Sequence, residues 1–281
     1  MTEPTSVVDD VYSAARRALA ALFMGVLANV GFAQDLQPSG SAWQFLKDKY
    51  YGDRTMGVVD EQFMSLEAPA NTPDAAATPL TLHFANDPTR AIKRVRVFID
   101  NNPSPLAATF DFTAGAVPIT GIDMRVRVDR FTSVRAVAET AGGDLEMRST
   151  WVKAAGGCSA PPAAAGSGAL GEIRFRPSMD SKSLQVSIRH PNSSGFQIDP
   201  RTNAPIPAHY ISSLTLQAGG KPVLSADLGI SISENPTLRI ATDRPLPTPV
   251  MIDAVDSETH AHYSATMDET RMADNRVAAV R

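Results

Sequence analysis

The residue best suited to covalent chemistry is Cys158, the only cysteine in the 281-residue chain. It follows Gly156 and Gly157 and precedes Ser159-Ala160-Pro161-Pro162, so no large apolar side chain lies beside it in sequence. Structural cysteines favour apolar surroundings, and we therefore predict a thiol that is exposed and mobile. A single cysteine cannot form an internal disulfide, which leaves a reactive thiol, an incidental cysteine or a disulfide between two chains.

A mobile thiol is better suited to carrying a group than to catalysis. A catalytic nucleophile needs a fixed base and an oxyanion site beside it, and a pliable Gly-Gly-Cys segment supplies neither. Apart from Lys153, no neighbour in sequence is expected to lower the pKa of the thiol strongly. We therefore expect Cys158 to be modified and presented to other proteins.

Histidines offer a second kind of chemistry, but their positions favour structural roles. His190 and His209 lie close to prolines, and we predict that both are structural. His260 and His262 are two residues apart, so on a strand they share one face. Because zinc usually takes three or four protein ligands and no third ligand is evident, we predict no metal site.

The remaining polar clusters and motifs exclude several functions. Asp253, Asp256 and Glu258 lack the alternating ligand pattern of a calcium loop, so we predict that they form a solvated edge. The sequence has no nucleotide-binding glycine motif, serine-nucleophile elbow or haem-attachment Cys-x-x-Cys-His, and no cofactor is expected. With 26 basic and 30 acidic residues and no basic run, no nucleic-acid partner is expected either.

The elements that position Cys158 are predicted to be mostly strands. A helix is predicted over Ser41–Tyr51, with Gly52 as its stop, because aromatic and leucine residues recur there at helical spacing. Six segments that are apolar at every second position follow it: Leu80–Phe84, Val95–Ile99, Thr109–Phe112, Met124–Val128, Val134–Glu139 and Leu145–Val152. In the fourth, Arg125 and Arg127 alternate with apolar residues, the pattern of a half-buried strand.

A second series of strands follows an interruption. Residues 154–170 carry too little apolar surface to offset the entropy of ordering, so we predict a flexible linker that contains Cys158. The later predicted strands are Ile173–Arg176, Leu184–Arg189, Leu214–Gln217, Val223–Asp227, Leu238–Ala241, Pro249–Asp253 and His260–Ala265. The prediction is an all-β chain with a short N-terminal helix, two β-sandwiches at residues 40–153 and 171–267, and a polar tail at 268–281.

The first 33 residues are predicted to be a cleaved signal peptide. Arg16 and Arg17 precede the apolar run Ala18–Phe32, and Gly31-Phe32-Ala33 places small residues where a signal peptidase cuts. The run is short for a membrane span, so we expect no span in the mature chain. The expected location is the periplasm, reached by either the Sec or the Tat route.

The residues around Cys158 and in the second half resemble a known family. The segment Trp151-Val152-Lys153-Ala154-Ala155-Gly156-Gly157-Cys158 resembles the carboxy-terminal arm of SoxY, the sulfur-carrying subunit of the bacterial thiosulfate-oxidising system. The second half resembles its partner SoxZ in the stretches Ile188–Pro191, Pro207–Ile211, Gly220–Leu224 and Ser231–Pro236. The order of the two halves resembles that of fused SoxYZ-like carriers associated with quinoprotein dehydrogenases.

This resemblance implies a carrier of sulfur metabolism that is not an enzyme, built from two immunoglobulin-like sandwiches. It implies that Cys158 holds a sulfur intermediate covalently and that Gly156 and Gly157 make a slim, pliable arm. The implied partners are periplasmic redox enzymes, either a quinoprotein dehydrogenase or a c-type cytochrome. In SoxY the cysteine lies near a free carboxy terminus, whereas here the chain continues through Pro161-Pro162 into the second half.

Two other functions stay open at this point. The sandwiches could act as a non-covalent adaptor or assembly module for a periplasmic quinoprotein dehydrogenase, with the cysteine incidental. Alternatively, Cys158 could serve a redox enzyme or sensor, which requires a lowered thiol pKa.

Overall fold

The computed structural model describes residues 40–162 and 168–269. The first half holds α1 (Gly40–Tyr51), β1 (Met56–Val58), β2 (Met64–Glu67), β3 (Thr78–Phe84), β4 (Ile92–Ile99), β5 (Leu106–Phe112), β6 (Ile119–Val126), β7 (Thr132–Thr140) and β8 (Leu145–Val152). The second half holds β9 (Ile173–Pro177), β10 (Ser183–Ile188), β11 (Ile211–Ala218), β12 (Lys221–Leu228), β13 (Thr237–Thr242), β14 (Val250–Asp256) and β15 (His262–Met267). The predicted signal peptide, residues 1–33, and most of the predicted tail lie outside the described residues.

Two sheets make up the fold, and each of them runs through both halves of the chain. The larger sheet has the strand order β1-β8-β7-β4-β5-β12-β11-β14-β15, and the smaller has the order β2-β3-β6-β13-β10-β9. Strand β5 pairs antiparallel with β12, and β6 pairs antiparallel with β13, so each sheet crosses the boundary between the halves. The prediction of an all-β sandwich fold is confirmed, but the two predicted sandwiches are not separate: because strands of both halves share each sheet, the halves form one continuous sandwich around a shared hydrophobic core.

The alternation seen in the sequence is what builds this core. In β14, for example, Val250, Ile252 and Ala254 are buried against the opposite sheet, while the residues between them are half-buried. Strand β8 has the predicted bounds, whereas the sequence analysis missed β1 and β2. Those strands are only three and four residues long, too short to show a period of two.

The helix α1 covers the other face of the larger sheet. The rings of Trp43, Tyr50 and Tyr51 meet the ring of Phe98 edge to face, with centroids 5.7, 5.2 and 6.2 Å away. Gly52 ends the helix at a φ of 58°, a left-handed conformation that glycine adopts without strain. The predicted helix is therefore present, and it packs in a hydrophobic cluster that does not include Cys158.

Loop contacts extend the joint between the halves beyond the strand pairs. The amide N–H of Arg127 donates to the carbonyl of Ser231 over 2.7 Å, and that of Ser233 donates to the carbonyl of Arg125 over 3.0 Å. Ser233 Oγ also donates to the carbonyl of Ala76 over 2.7 Å. Within residues 40–162 and 168–269, no helix has the length and apolar character needed to cross a membrane.

Candidate functional site

Cys158 lies inside the protein, at the junction of the two halves. Its exposed fraction is 1 %, so the prediction that the thiol is exposed and mobile is wrong. The carbonyl of Cys158 accepts a short hydrogen bond from Ser194 Oγ in the second half. The part of the predicted linker that carries Cys158, residues 154–162, is therefore a tucked segment, which we call the arm.

The first half holds the arm through its backbone. The amide N–H of Gly156 donates to the carbonyl of Asp129 over 2.8 Å, and that of Gly157 donates to the carbonyl of Val128 over 3.0 Å. A Cβ atom added to Gly157 would lie 2.1 Å from the carbonyl oxygen of Ala75, so only glycine fits there. Gly156 has a φ of 75°, which glycine adopts at little cost. The two glycines predicted to make the arm pliable thus also allow it to lie flat against the first half.

The second half covers the arm with one loop, residues 190–197, which we call the cover loop. Besides the Ser194 bond to Cys158, Gln197 Nε2 donates to the carbonyl of Ala160 over 2.9 Å. Gln197 Oε1 in turn accepts from the backbone amide N–H of Ser194 over 3.0 Å, which fixes the Gln197 side chain. The cover loop therefore holds the arm through hydrogen bonds to its backbone carbonyls, without a covalent link.

Arg127 lies beneath the arm, and its guanidinium reaches both the arm and the cover loop. Its side chain is among the largest fully buried ones, and the residue is 2 % exposed. Nη1 donates to the carbonyl of Gly157 over 3.3 Å and Nη2 to the carbonyl of Asn192 over 3.2 Å, while Nε has no partner within the described residues. Among these same residues no carboxylate lies within ion-pair distance of Arg127, and burial lowers the pKa of its guanidinium.

The surroundings of the tucked thiol suppress its reactivity. Burial raises the pKa of Cys158 from its ordinary value of 9.0 to about 11; the charge of Asp129 adds to this and that of Arg127 opposes it. Because the thiolate is the nucleophile in sulfur exchange, the tucked thiol is nearly inert at neutral pH. The third function left open above, a redox enzyme or sensor, requires the opposite shift and is not supported by this geometry.

A buried network anchors the cover loop to the rest of the second half. Asp256 is fully buried, which corrects the prediction that it forms part of a solvated edge. Its Oδ2 accepts from His190 Nε2 over 3.2 Å, His209 Nε2 over 2.7 Å and the hydroxyl of Tyr263 over 3.1 Å. Burial opposes ionisation, yet these donors and the amide N–H groups of Thr259 and Glu258 hold the pKa of Asp256 well below its usual range.

The hydrogen-bond pattern of this network favours a structural role over metal binding. His190, His209 and Asp256 present ligand atoms within 4.8 Å of one another. However, His190 Nδ1 accepts the amide N–H of Asn192 over 3.0 Å, so the proton of the ring is on Nε2, the atom that faces Asp256. A metal-binding imidazole normally donates its second nitrogen to an acceptor instead. The network thus agrees with the predicted structural role of both histidines.

The comparisons with known proteins divide the chain at this junction. Residues 47–158 match the family model described as sulfur oxidation protein SoxY, and residues 176–267 match the one described as sulphur oxidation protein SoxZ. Together the two matches span more than two thirds of the chain. The chain belongs to the SoxY and SoxZ families as a fused SoxYZ-like protein. Proteins of these families are sulfur carriers or adaptors rather than enzymes, in agreement with the expectation of a non-enzymatic carrier.

Solved structures resemble parts of this SoxYZ-like protein. The sulfur carrier protein SoxY from Chlorobium limicola f thiosulfatophilum is 21% identical, with 41% of this chain and 97% of that chain covered and a TM-score of 0.34. Superoxide reductase (neelaredoxin) from Ignicoccus hospitalis is 11% identical over 32% of this chain and 79% of that chain, with a TM-score of 0.28. A marsupial T cell receptor is 8% identical over 75% of this chain and 62% of that chain, with a TM-score of 0.24. No curated protein sequence matches the chain.

The SoxY match ends at Cys158, the residue where the first half passes under the cover loop. Two of the SoxZ-like stretches lie at or next to this joint. Asn192, just after His190-Pro191, holds the Arg127 side chain, while the Ser231–Pro236 stretch binds the backbone on either side of Val126. The Ser231–Pro236 stretch therefore contributes to the joint between the halves, whereas the cover loop begins at the end of the Ile188–Pro191 stretch.

Two predictions about other side chains of the SoxYZ-like protein need correction. His260 lies in the turn before β15, so it does not share a strand face with His262. Arg127 was read as the outward side of a half-buried strand, but the arm and the cover loop bury it. Its neighbours Val126 and Val128 are buried as expected, so no local signal distinguishes Arg127 from the exposed Arg125.

Proposed function

We propose that this protein is an exported sulfur carrier that binds a sulfur intermediate covalently on Cys158 and presents it to partner enzymes. The observation that carries the proposal is the position of Cys158. It is the chain's only thiol, it lies where the SoxY and SoxZ halves meet, and a few hydrogen bonds from Ser194, Gln197 and Arg127 hold its arm. Such an arm can be released and tucked back without unfolding either sheet.

The loading step requires the arm to be out. In the open state the Cys158 thiol loses its proton to solvent, and the thiolate attacks the outer sulfur of a disulfide-type or thiosulfonate-type donor on a partner. A new S–S bond forms to Cys158, the donor's S–S bond breaks, and its electron pair leaves with the departing sulfur. The exchange consumes no external oxidant. Tucking the arm afterwards removes the adduct from competing thiols.

The partners and the location belong to this proposal. We infer that the carrier works in the periplasm, because the N-terminal sequence has the order of a signal peptide. There it would meet sulfur-oxidation enzymes, of which a quinoprotein dehydrogenase or a c-type cytochrome is the expected kind. The thiol is unpaired within the chain, as a carrier in an oxidising compartment requires.

The test is the intact mass of protein purified from the periplasm of its own host, before and after a reductant. We expect an adduct that maps to Cys158 and is lost on reduction. Cys158→Ser should abolish the adduct and the pathway activity, whereas Ser159→Ala, which changes the next residue and keeps the thiol, should preserve both. A Cys158→Ser protein that supports the pathway fully and still binds its partners would establish the adaptor function instead.

A further inference from the structure

A buried arginine without a counter-ion is costly and calls for an explanation. Desolvating a guanidinium costs several kcal/mol unless charge pairing or hydrogen bonds offset the loss. Arg127 has two long hydrogen bonds to carbonyls, an unpartnered Nε and, within residues 40–162 and 168–269, no carboxylate within ion-pair distance. The positive charge lies beside the arm that carries the only thiol.

From this geometry we propose that Arg127 is the recognition residue for a negatively charged group on the Cys158 sulfur. The inference rests on the carrier function proposed above and adds a residue to it: Arg127 binds the oxyanion of a cargo that ends in a negative charge, such as a sulfonate. A guanidinium suits this class because its fork of N–H donors can bind two oxygens of one oxyanion. Of the five N–H groups of Arg127, two bind backbone carbonyls, and the one on Nε has no partner within residues 40–162 and 168–269.

The surrounding charges make Arg127 the determinant of this preference. The carboxylate of Asp129 also acts on the thiol and disfavours a negative charge there. Asp129 itself lies 3.8 Å from Arg130, whose side chain is 77 % exposed and thus contributes little. Without Arg127, the local field would favour a neutral cargo. With it, an anionic cargo binds a charge on which the carboxylates of Glu234 and Asp74 act only from beyond ion-pair distance.

The test uses the full chain with two adducts prepared chemically, so it does not depend on loading by any enzyme. The first is made from a mixed disulfide on Cys158: sulfite attacks the Cys158 sulfur, the S–S bond breaks, the other thiolate leaves, and Cys158 carries S-sulfonate. The second is made with methyl methanethiosulfonate. The Cys158 thiolate attacks its S-methyl sulfur, methanesulfinate leaves, and Cys158 carries a neutral methyl disulfide. Each adduct is then removed with dithiothreitol and followed by intact mass. For each adduct, the removal rate measured on a peptide spanning residues 155–161 is divided by the rate measured on the protein, which gives a protection factor.

We expect the sulfonate to be protected at least about tenfold more than the S-methyl group in the wild type, the scale of one charged hydrogen bond. Arg127→Gln should remove this difference, Arg127→Lys should retain part of it, and Ser194→Ala should lower the protection of both adducts equally. Equal protection of the two adducts in the wild type overturns the proposal, and so does a difference that survives Arg127→Gln. If Arg127→Gln does not fold, the wild-type comparison and Arg127→Lys decide. An absence of any adduct in the cell would instead count against the carrier function alone.

Discussion

Arg127 and Arg135 are both buried and lie close together in sequence, but only Arg135 has a carboxylate partner. Arg135, in the first half, is paired: its Nε donates to both oxygens of Asp100, at 3.1 and 2.8 Å, and its guanidinium lies 4.8 Å from the ring centroid of Trp43. Arg127, at the junction, contacts only backbone carbonyls. Both residues are buried, so the difference lies in the partners that the fold provides.

This difference separates a charge that serves the fold from one that is available to a ligand. The pair of Arg135 and Asp100 is complete within the first half and connects the larger sheet to α1 through Trp43. The Arg127 guanidinium instead hydrogen-bonds only the arm and the cover loop, at the carbonyls of Gly157 and Asn192. Four substitutions test the contrast.

Asp100→Asn should produce the largest loss of stability. It leaves the buried guanidinium of Arg135 without a counter-charge, and breaking such a pair costs about 3–5 kcal/mol. Urea unfolding at pH 7 measures the change in the free energy of unfolding. The control is Asp111→Asn, which breaks the ion pair with Arg94 at 2.6 Å; because both side chains are about one third exposed, the cost should stay below about 1 kcal/mol. Similar costs for the two substitutions would contradict the assignment of Arg135 to the fold.

Asp256→Asn should be next, because it weakens the support of the cover loop. The amide keeps an oxygen acceptor but loses the charge and places a donor among the donors of His190, His209 and Tyr263, so we expect a loss of about 2–3 kcal/mol. The pKa of Asp256 is lower in the folded state than its ordinary value of 3.8. The stabilisation is therefore fully present above that pH and is lost as the pH falls below it.

Acid unfolding of wild type and variant checks this sign. The difference in the free energy of unfolding between them should be constant near neutral pH and shrink below pH 3.8. Asp253→Asn is the matched control, since Asp253 bonds the exposed His262 and Ser264 on the next strand instead. A variant of Asp256 as stable as that of Asp253 at pH 7 would refute the supporting role of the network.

Gly157→Ala should release the arm while leaving both sheets intact. The added Cβ would lie 2.1 Å from the carbonyl oxygen of Ala75 and 2.6 Å from that of Val128, so the arm cannot keep its tucked position. We expect iodoacetamide to modify Cys158 at least about tenfold faster at pH 8, the equivalent of 1.4 kcal/mol or more in the closing equilibrium. Gly156→Ala is the control: it strains a φ of 75° but has open space around the Cβ, so its acceleration should be smaller.

The pH dependence of Cys158 modification distinguishes release of the arm from a general loosening of the protein. The thiol pKa is raised in the tucked state, so the tucked state is favoured at low pH and loses stability as the pH rises from 9.0 towards about 11. The modification rate of the wild type should keep rising through this window, whereas that of Gly157→Ala should level off near the ordinary value. Identical profiles would mean that the thiol is already out in the wild type.

These tests all concern contacts between residues far apart in sequence, which the sequence pattern does not predict. Periods of two and 3.6 located α1 and thirteen of the strands, because each strand's own residues alternate between core and surface. The Gly-Gly-Cys segment has no such period, and its composition indicated a linker. Its burial depends on Ser194 and Gln197, which lie more than thirty residues further along the chain.

Arg127 shows the same limit for a single side chain. Its place in an alternating strand predicts a solvent-facing residue, and Arg125, two positions earlier, is indeed exposed. What buries Arg127 is the chain that crosses above it: Gly157 from the arm and Asn192 from the cover loop. The candidate site could thus be assigned to Cys158 from the sequence, while the groups that control its thiol could not.

The smallest expected effect completes the contrast between the arginines. Arg127→Met removes a buried charge that has no counter-ion, so the recovered desolvation cost should offset the two lost carbonyl hydrogen bonds, and the free energy of unfolding should change by less than about 1 kcal/mol. Arg135→Met, the matched substitution, strands the carboxylate of Asp100 and should cost about 3–5 kcal/mol in the same urea experiment. If Arg127→Met proves as costly as Arg135→Met, then Arg127 serves the fold, and the contrast between a paired and an available charge is lost. If Arg127→Met leaves the free energy of unfolding nearly unchanged, stability alone does not explain why a guanidinium lies beside the chain's only thiol.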